Sequence, residues 1–194
     1  MTVSENPYAT PQADVTLPED RPTTFFVVAP RKLVLMVLLS QGFYGLYWLY
    51  KHWSLYRAAT GARVWPLVRA FFSFFFAYAL VMKIKRALDL KDASYRWWPR
   101  CFALGWIICA FLPFTYIWFF SNLTALKLGL CTAIVQVAMF AQIQQAVNYL
   151  ENDSKGQANS RITWANGIWI GIGVFMWLSA IGSALGLGAY LLAE

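Results

Sequence analysis

The chain has 194 residues, of which 59% are hydrophobic, 18% aromatic and only 13% charged. A soluble domain carries about a quarter charged residues, so this composition excludes an ordinary water-soluble globule and points to a membrane protein. The net charge is +7, but the basic residues flank apolar stretches, where they read as topology signals and head-group contacts, and no nucleic-acid partner is expected.

Residues 1–24 read as a disordered tail, kept wet by Glu5, Asp14, Glu19 and Asp20 and free of helix because of Pro7, Pro11, Pro18 and Pro22. Residues 25–29 are expected to touch the membrane interface. Residues 25–194 then form the transmembrane domain, with apolar stretches at 33–50, 64–82, 101–120, 129–150 and 164–192. Each is about long enough to cross a hydrocarbon layer of about 30 Å. The expected fold is therefore all-α: a polytopic membrane helix bundle of about five transmembrane helices. The alternative is four spans, with 64–82 re-entrant or interfacial.

The first stretch carries Tyr44, Tyr47, Trp48, Tyr50 and Trp53. These rings suit the bilayer interface, where the ring sits among acyl chains and its polar tip reaches the head groups. Gly42 and Gly45 are places where the helix can bend, and Gly61 suits a C-cap. The second stretch starts at Arg63-Val64-Trp65-Pro66 and holds Arg69 one turn further in, close enough to one end to snorkel. Its other reading is an anion or lipid-phosphate contact. The third follows Arg96-Trp97-Trp98-Pro99, a second tryptophan–proline anchor, and Pro113 should kink it. The fourth is the most polar. It holds Gln136, and Gln144, Gln145 and Asn148 are expected to share one face, as interhelical hydrogen bonds or as a cavity lining. The last holds Gly167 and Gly171, then Gly182 and Gly186, two G-x-x-x-G pairs suited to helix packing within the bundle or to dimerisation.

Five spans place eleven Lys and Arg on the side of the tail and four (Lys51, Arg57, Arg63, Lys127) on the other, which puts the N-terminus in the cytoplasm. One tract resists this count: residues 51–69 are basic without a single acid.

Little here suggests reaction chemistry. His52 is the one histidine, read as an interfacial residue, and no carboxylate near it in sequence completes a zinc site or a triad. All nine acidic residues lie outside the apolar stretches, which argues against a proton-coupled carrier. Cys101, Cys109 and Cys131 read as small packing residues. The tract Glu151-Asn152-Asp153-Ser154 reads as a solvated turn. No enzymatic activity, cofactor or metal is expected.

The tract from Gly42 through Tyr44, Leu46-Tyr47-Trp48, Tyr50-Lys51 and Trp53 resembles a family of small bacterial inner-membrane proteins of unknown function, which share a G-[I/L/F]-Y-x-L-Y-W-x-Y-K-x-W signature. The tracts Gln145-Ala146-Val147-Asn148 and Ala158 to Asn166 are similar to theirs as well. The resemblance implies a bacterial cytoplasmic membrane and a helical bundle; it brings no activity and no functional residues. The expected role is a non-enzymatic accessory or structural membrane component acting through helix or lipid contacts. Its partners would be the lipid bilayer and either another membrane protein or a second copy. The alternative is a small channel or carrier for a neutral or anionic solute, built on Arg69 and the amides.

Overall fold

The computed structural model describes residues 23–92 and 94–186. The expected disordered tail falls outside them, apart from Thr23 and Thr24, as do positions 187–192 of the expected last span. The described residues fold as an all-α bundle of seven α-helices: α1 (Pro30–Leu39), α2 (Phe43–Thr60), α3 (Pro66–Phe71), α4 (Ser73–Lys91), α5 (Pro99–Phe119), α6 (Asn122–Leu150) and α7 (Trp164–Ala184). A short 3-10 turn, Gln157–Asn159, lies in the loop before α7.

Three of these helices, α5, α6 and α7, are long and apolar enough to cross a membrane. The expected stretches 101–120, 129–150 and 164–192 each hold one of these helices, whereas each of the first two stretches is broken. Residues 33–50 divide at 40–42 into a 10-residue and an 18-residue helix. The backbone explains the break. Gln41 and Gly42 both take positive φ, 51° and 88°, which ends α1 in a left-handed turn. The Gly42 N–H returns to the Val37 carbonyl at 2.8 Å, and the Ser40 hydroxyl accepts the Tyr44 N–H at 2.9 Å, so one end is closed and the other opened on the spot. Residues 64–82 divide at Phe72 (φ −88°, ψ 43°) into α3 and α4.

α1 and α2 form a hairpin whose two open ends lie together. Phe26, just before α1, donates its N–H to His52 at the middle of α2, and the Phe25 ring stacks on Tyr56, one turn further on, at 5.9 Å. The tip of the hairpin, at Leu39 and Ser40, abuts Gly173, which is near the middle of α7. α3 lies against the second half of α2. α4 ends beside the end of α6, where the Lys91 ammonium meets the carbonyls of Tyr149 and Leu150 at 2.8 and 2.7 Å. That cation sits at the negative end of the α6 dipole.

α5 and α6 form a long antiparallel pair, and α7 runs back alongside the first half of α6, with Asn122 Nδ2 reaching Ser183 Oγ at 3.2 Å. The molecule thus has two unlike ends. One gathers the ends of both short helix pairs, the 151–163 loop and the starts of α5 and α7. Among the described residues the other has only the α5–α6 turn and the end of α7. The core lies between α1, α2, α4, α5 and α6, around Leu33, Met36, Trp48, Leu80, Ile84 and Ile143.

The close helix approach falls on Gly173, where a Cβ would stand 1.9 Å from the Leu39 carbonyl oxygen. At Gly167, Gly171 and Gly182 the same construction meets nothing within 4 Å, and Gly186 follows the end of α7 at φ 72°. Packing within the chain therefore does not use the two G-x-x-x-G pairs, because α7 turns that face outward. Gly173→Ala is expected to destabilise the purified protein by at least about 1–3 kcal/mol through overpacking, read as a lowered unfolding temperature. Gly171→Ala should stay within about 1 kcal/mol of the parent.

Candidate functional site

An extended backbone leaves an N–H and a C=O at every residue with no helical partner. Residues 25–28 are extended and buried, with Phe25 and Val28 at 0% exposure. Side chains from three elements take up five of the eight such groups on these residues. Phe25 N–H donates to the Glu151 carboxylate at 2.8 Å, and Phe26 N–H to His52 Nδ1 at 3.3 Å. The amides of Gln144, Asn159 and Asn148 donate to the carbonyls of Phe26, Val27 and Val28 at 3.0, 3.2 and 3.0 Å. Ala29 N–H reaches the Asn159 carbonyl at 3.3 Å.

Gln144 is the junction. Its side-chain oxygen accepts the Trp48 indole N–H at 2.6 Å, while its nitrogen also donates to Asn148 Oδ1 at 2.7 Å. The start of α1 is held as well: buried Lys32 donates to Asn159 Oδ1 at 2.7 Å and to the Arg161 carbonyl at 2.6 Å. The tracts around Trp48 and His52, around Gln144 and Asn148, and around Asn159 therefore meet on one strap of backbone.

His52 is fully buried, not interfacial. Its Nδ1 accepts, so the neutral ring carries its proton on Nε2, and burial pushes the imidazole down to about 3. Glu151 is half-buried, and burial lifts its carboxyl above the usual range even though Phe25 N–H donates to it. Asp153 lies below its usual range because the N–H groups of Ala158 and Gln157, each at 2.9 Å, point at it and shape the loop. The tract read as a solvated turn is thus an organised corner whose first residue holds the strap.

The aromatic motif is divided. Tyr44, Trp48 and Trp53 are at 1, 0 and 0% exposure, so they are core and not an interfacial belt. Tyr47 is half-buried and Tyr50 exposed. The reason is the hairpin: folding α2 back lays its face on the strap and on α6, with Trp48 edge-on to Phe140 at 5.1 Å. Gln145 is exposed while Gln144 and Asn148 are buried. Positions four apart return to one face, whereas the next residue is turned by about 100°. Arg69 stands over the rings of Trp53 and Phe76, at 4.4 and 4.9 Å from their centroids, a cation–π site far from the amides of α6. All three cysteines are free, with Cys101 and Cys131 exposed and Cys109 buried.

Gln136 is elsewhere, on the wall of a cavity of about 480 Å³. The cavity lies beyond the hairpin tip, where α1 and α2 no longer fill the bundle. Gln41 and Gly42 form its floor; Pro113, Gln136 and Trp177 stand on α5, α6 and α7 around it; Asn122 and Ser183 mark its far rim. Trp177 is fixed by its indole N–H on the Leu38 carbonyl at 2.9 Å.

The strap network has the chemistry of backbone binding. Among the described residues no cluster of three or more His, Cys, Asp and Glu is placed to hold a metal. Sequence reasoning missed His52, Lys32, Glu151 and Asn159 as parts of one site, although Asn159 lies in a tract already singled out. No family model matches the chain, and neither a curated protein nor a solved structure matches it.

Two outcomes follow. Asn148→Ala leaves the buried Val28 carbonyl without its donor and is expected to cost about 1–3 kcal/mol, measured as increased protease nicking at residues 23–29. The His52 ring binds a proton near pH 6.5 when released but only near 3 in the fold. Its contribution is therefore complete above about pH 6.5 and falls by about 1.4 kcal/mol per unit as pH drops from there towards 3. Nicking should rise between pH 7.5 and 5, and His52→Gln should flatten that rise.

Proposed function

We propose that this chain is an integral protein of a bacterial cytoplasmic membrane, a non-enzymatic accessory component that works through lipid or helix contacts. α5, α6 and α7 would cross the bilayer, and the hairpin α1–α2 and the broken pair α3–α4 would enter from one side only. The N-terminus would be cytoplasmic.

The observation that carries the reading is the distribution of charge. With the two N-terminal stretches folded back, 14 of the 15 Lys and Arg among the described residues, all but Lys127, fall at one end of the bundle or in the segments that lead from it. This is the bias that retains loops in the cytoplasm. It also absorbs the basic 51–69 tract that five straight spans could not place. Exposed tryptophans add support: Trp65, Trp98 and Trp164 at 76, 72 and 82% stand at the basic end, and Trp118 at 81% at the other. They mark two interface belts, separated by about 30 Å of helix at 1.5 Å per residue. The resemblance supports a bacterial inner membrane. The accessory reading is preferred to a solute channel because Gln144 and Asn148 are committed to the strap and Arg69 to two aromatic rings.

Single cysteines in an otherwise cysteine-free full-length chain test this. An impermeant maleimide added to intact cells with a permeable outer membrane should label Phe120→Cys but spare Thr60→Cys and Ser94→Cys until the inner membrane is opened. Labelling of Thr60→Cys in closed cells would restore a full first span and sink the arrangement.

A further inference from the structure

The cavity beyond the hairpin tip has three properties that together specify an occupant. Among the described residues it opens sideways: α5 and α7 both pack on α6 or its neighbours but not on each other, which leaves a gap between them where the hairpin ends. No charged side chain lines it among the described residues. It has polar groups at its inner end. The Gln41 and Gln136 amides face it and have no hydrogen-bond partner among the described residues, and Pro113, having no N–H, leaves the Cys109 carbonyl without its helical donor. Gln41 is also held at φ 51°, a conformation costly for a residue with a side chain.

We propose that this cavity binds an uncharged membrane lipid whose head carries hydroxyl and carbonyl groups, entering laterally between α5 and α7. The proposal rests on the membrane reading above. The head meets the amides of Gln41 and Gln136 at the floor, and the hydrocarbon lies along the apolar walls and leaves through the gap. A charged head is excluded by desolvation, since burying an unpaired charge in such a medium is prohibitive. A small polar solute would leave the apolar walls uncovered and would have to arrive through lipid. The volume of about 480 Å³ is many times the roughly 10–15 Å³ that one water requires on the same measure, enough for a neutral head and the first part of a chain.

The test uses the full chain in lipid nanodiscs with a photoactivatable diacylglycerol, and a photoactivatable phosphatidic acid with the same chains as control. Labelled peptides are mapped by mass spectrometry. The proposal expects diacylglycerol to label residues 105–117 and 132–137 at least fivefold more than the phosphatidic acid does. Ala133→Phe, which fills the cavity, and Gln136→Leu, which removes its amide, should each lower that labelling at least fivefold while the unfolding temperature and elution volume stay at parental values. Equal labelling by both lipids, or labelling spread along the outer face of α7, overturns the site and leaves the membrane reading standing. A chain that remains in detergent-free buffer without entering nanodiscs overturns both. Should either variant fail to fold, excess unlabelled diacylglycerol competing on the parent chain decides: competition supports the site and its absence rejects it.

Discussion

A stretch of extended backbone inside an apolar bundle is stable only if every N–H and C=O on it finds a partner, because no water is there to substitute. In this chain side chains are the partners of five of the eight such groups on residues 25–28. Glu151, His52, Gln144, Asn159 and Asn148 take up residues 25–28 in turn. Leaving any of these backbone groups bare would cost about 1–3 kcal/mol, more than an ordinary hydrogen bond contributes. The strap therefore fixes the chain just before α1, the middle of α2 and the end of α6 at one place. α1 has no freedom to continue through the bundle, since the residues that follow it must return to the strap.

Two consequences follow from that return. The basic residues between 51 and 100 are brought to the end where the strap lies, which gives the molecule its polarity. Lys32 and Lys91 show how such charges are accommodated: one donates to the loop before α7, the other to the last carbonyls of α6. The second consequence is a shortage of side chains beyond the tip. The hairpin stops beside Gly173, and the space it would have filled is the cavity between α5, α6 and α7.

The helical character and the three long apolar helices were legible in the apolar runs, and Gly42 was visible as a bend. The depth of the bend was not. A hydropathy stretch such as 33–50 sums over the turn and reads the same for a straight helix as for a folded one, and the left-handed residue that closes α1 is a glutamine, which carries no turn signal. The aromatic cluster misled for a related reason: Tyr and Trp suit both an interface and a core, and only the path of the chain decides. Trp48 and Trp53 went inside, while Trp65, Trp98 and Trp118 stayed outside. Gln144 and Asn148 were visible as one polar face of α6, but their partners are main-chain groups more than a hundred residues away, which no side-chain pattern encodes. The basic 51–69 tract was the one sequence feature that already disagreed with straight spans.

The distance between the two open ends of the hairpin tests this account most directly. Spin labels at Arg31→Cys and Arg57→Cys, both exposed positions flanking the hairpin, report it by pulsed electron resonance in nanodiscs. The fold described here predicts a single population under about 25 Å, since the two arms return to one end. One unbroken helix from 31 to 57 would hold the labels about 39 Å apart at 1.5 Å per residue, and a distance of that size would contradict the strap, the hairpin and the cavity beyond it together.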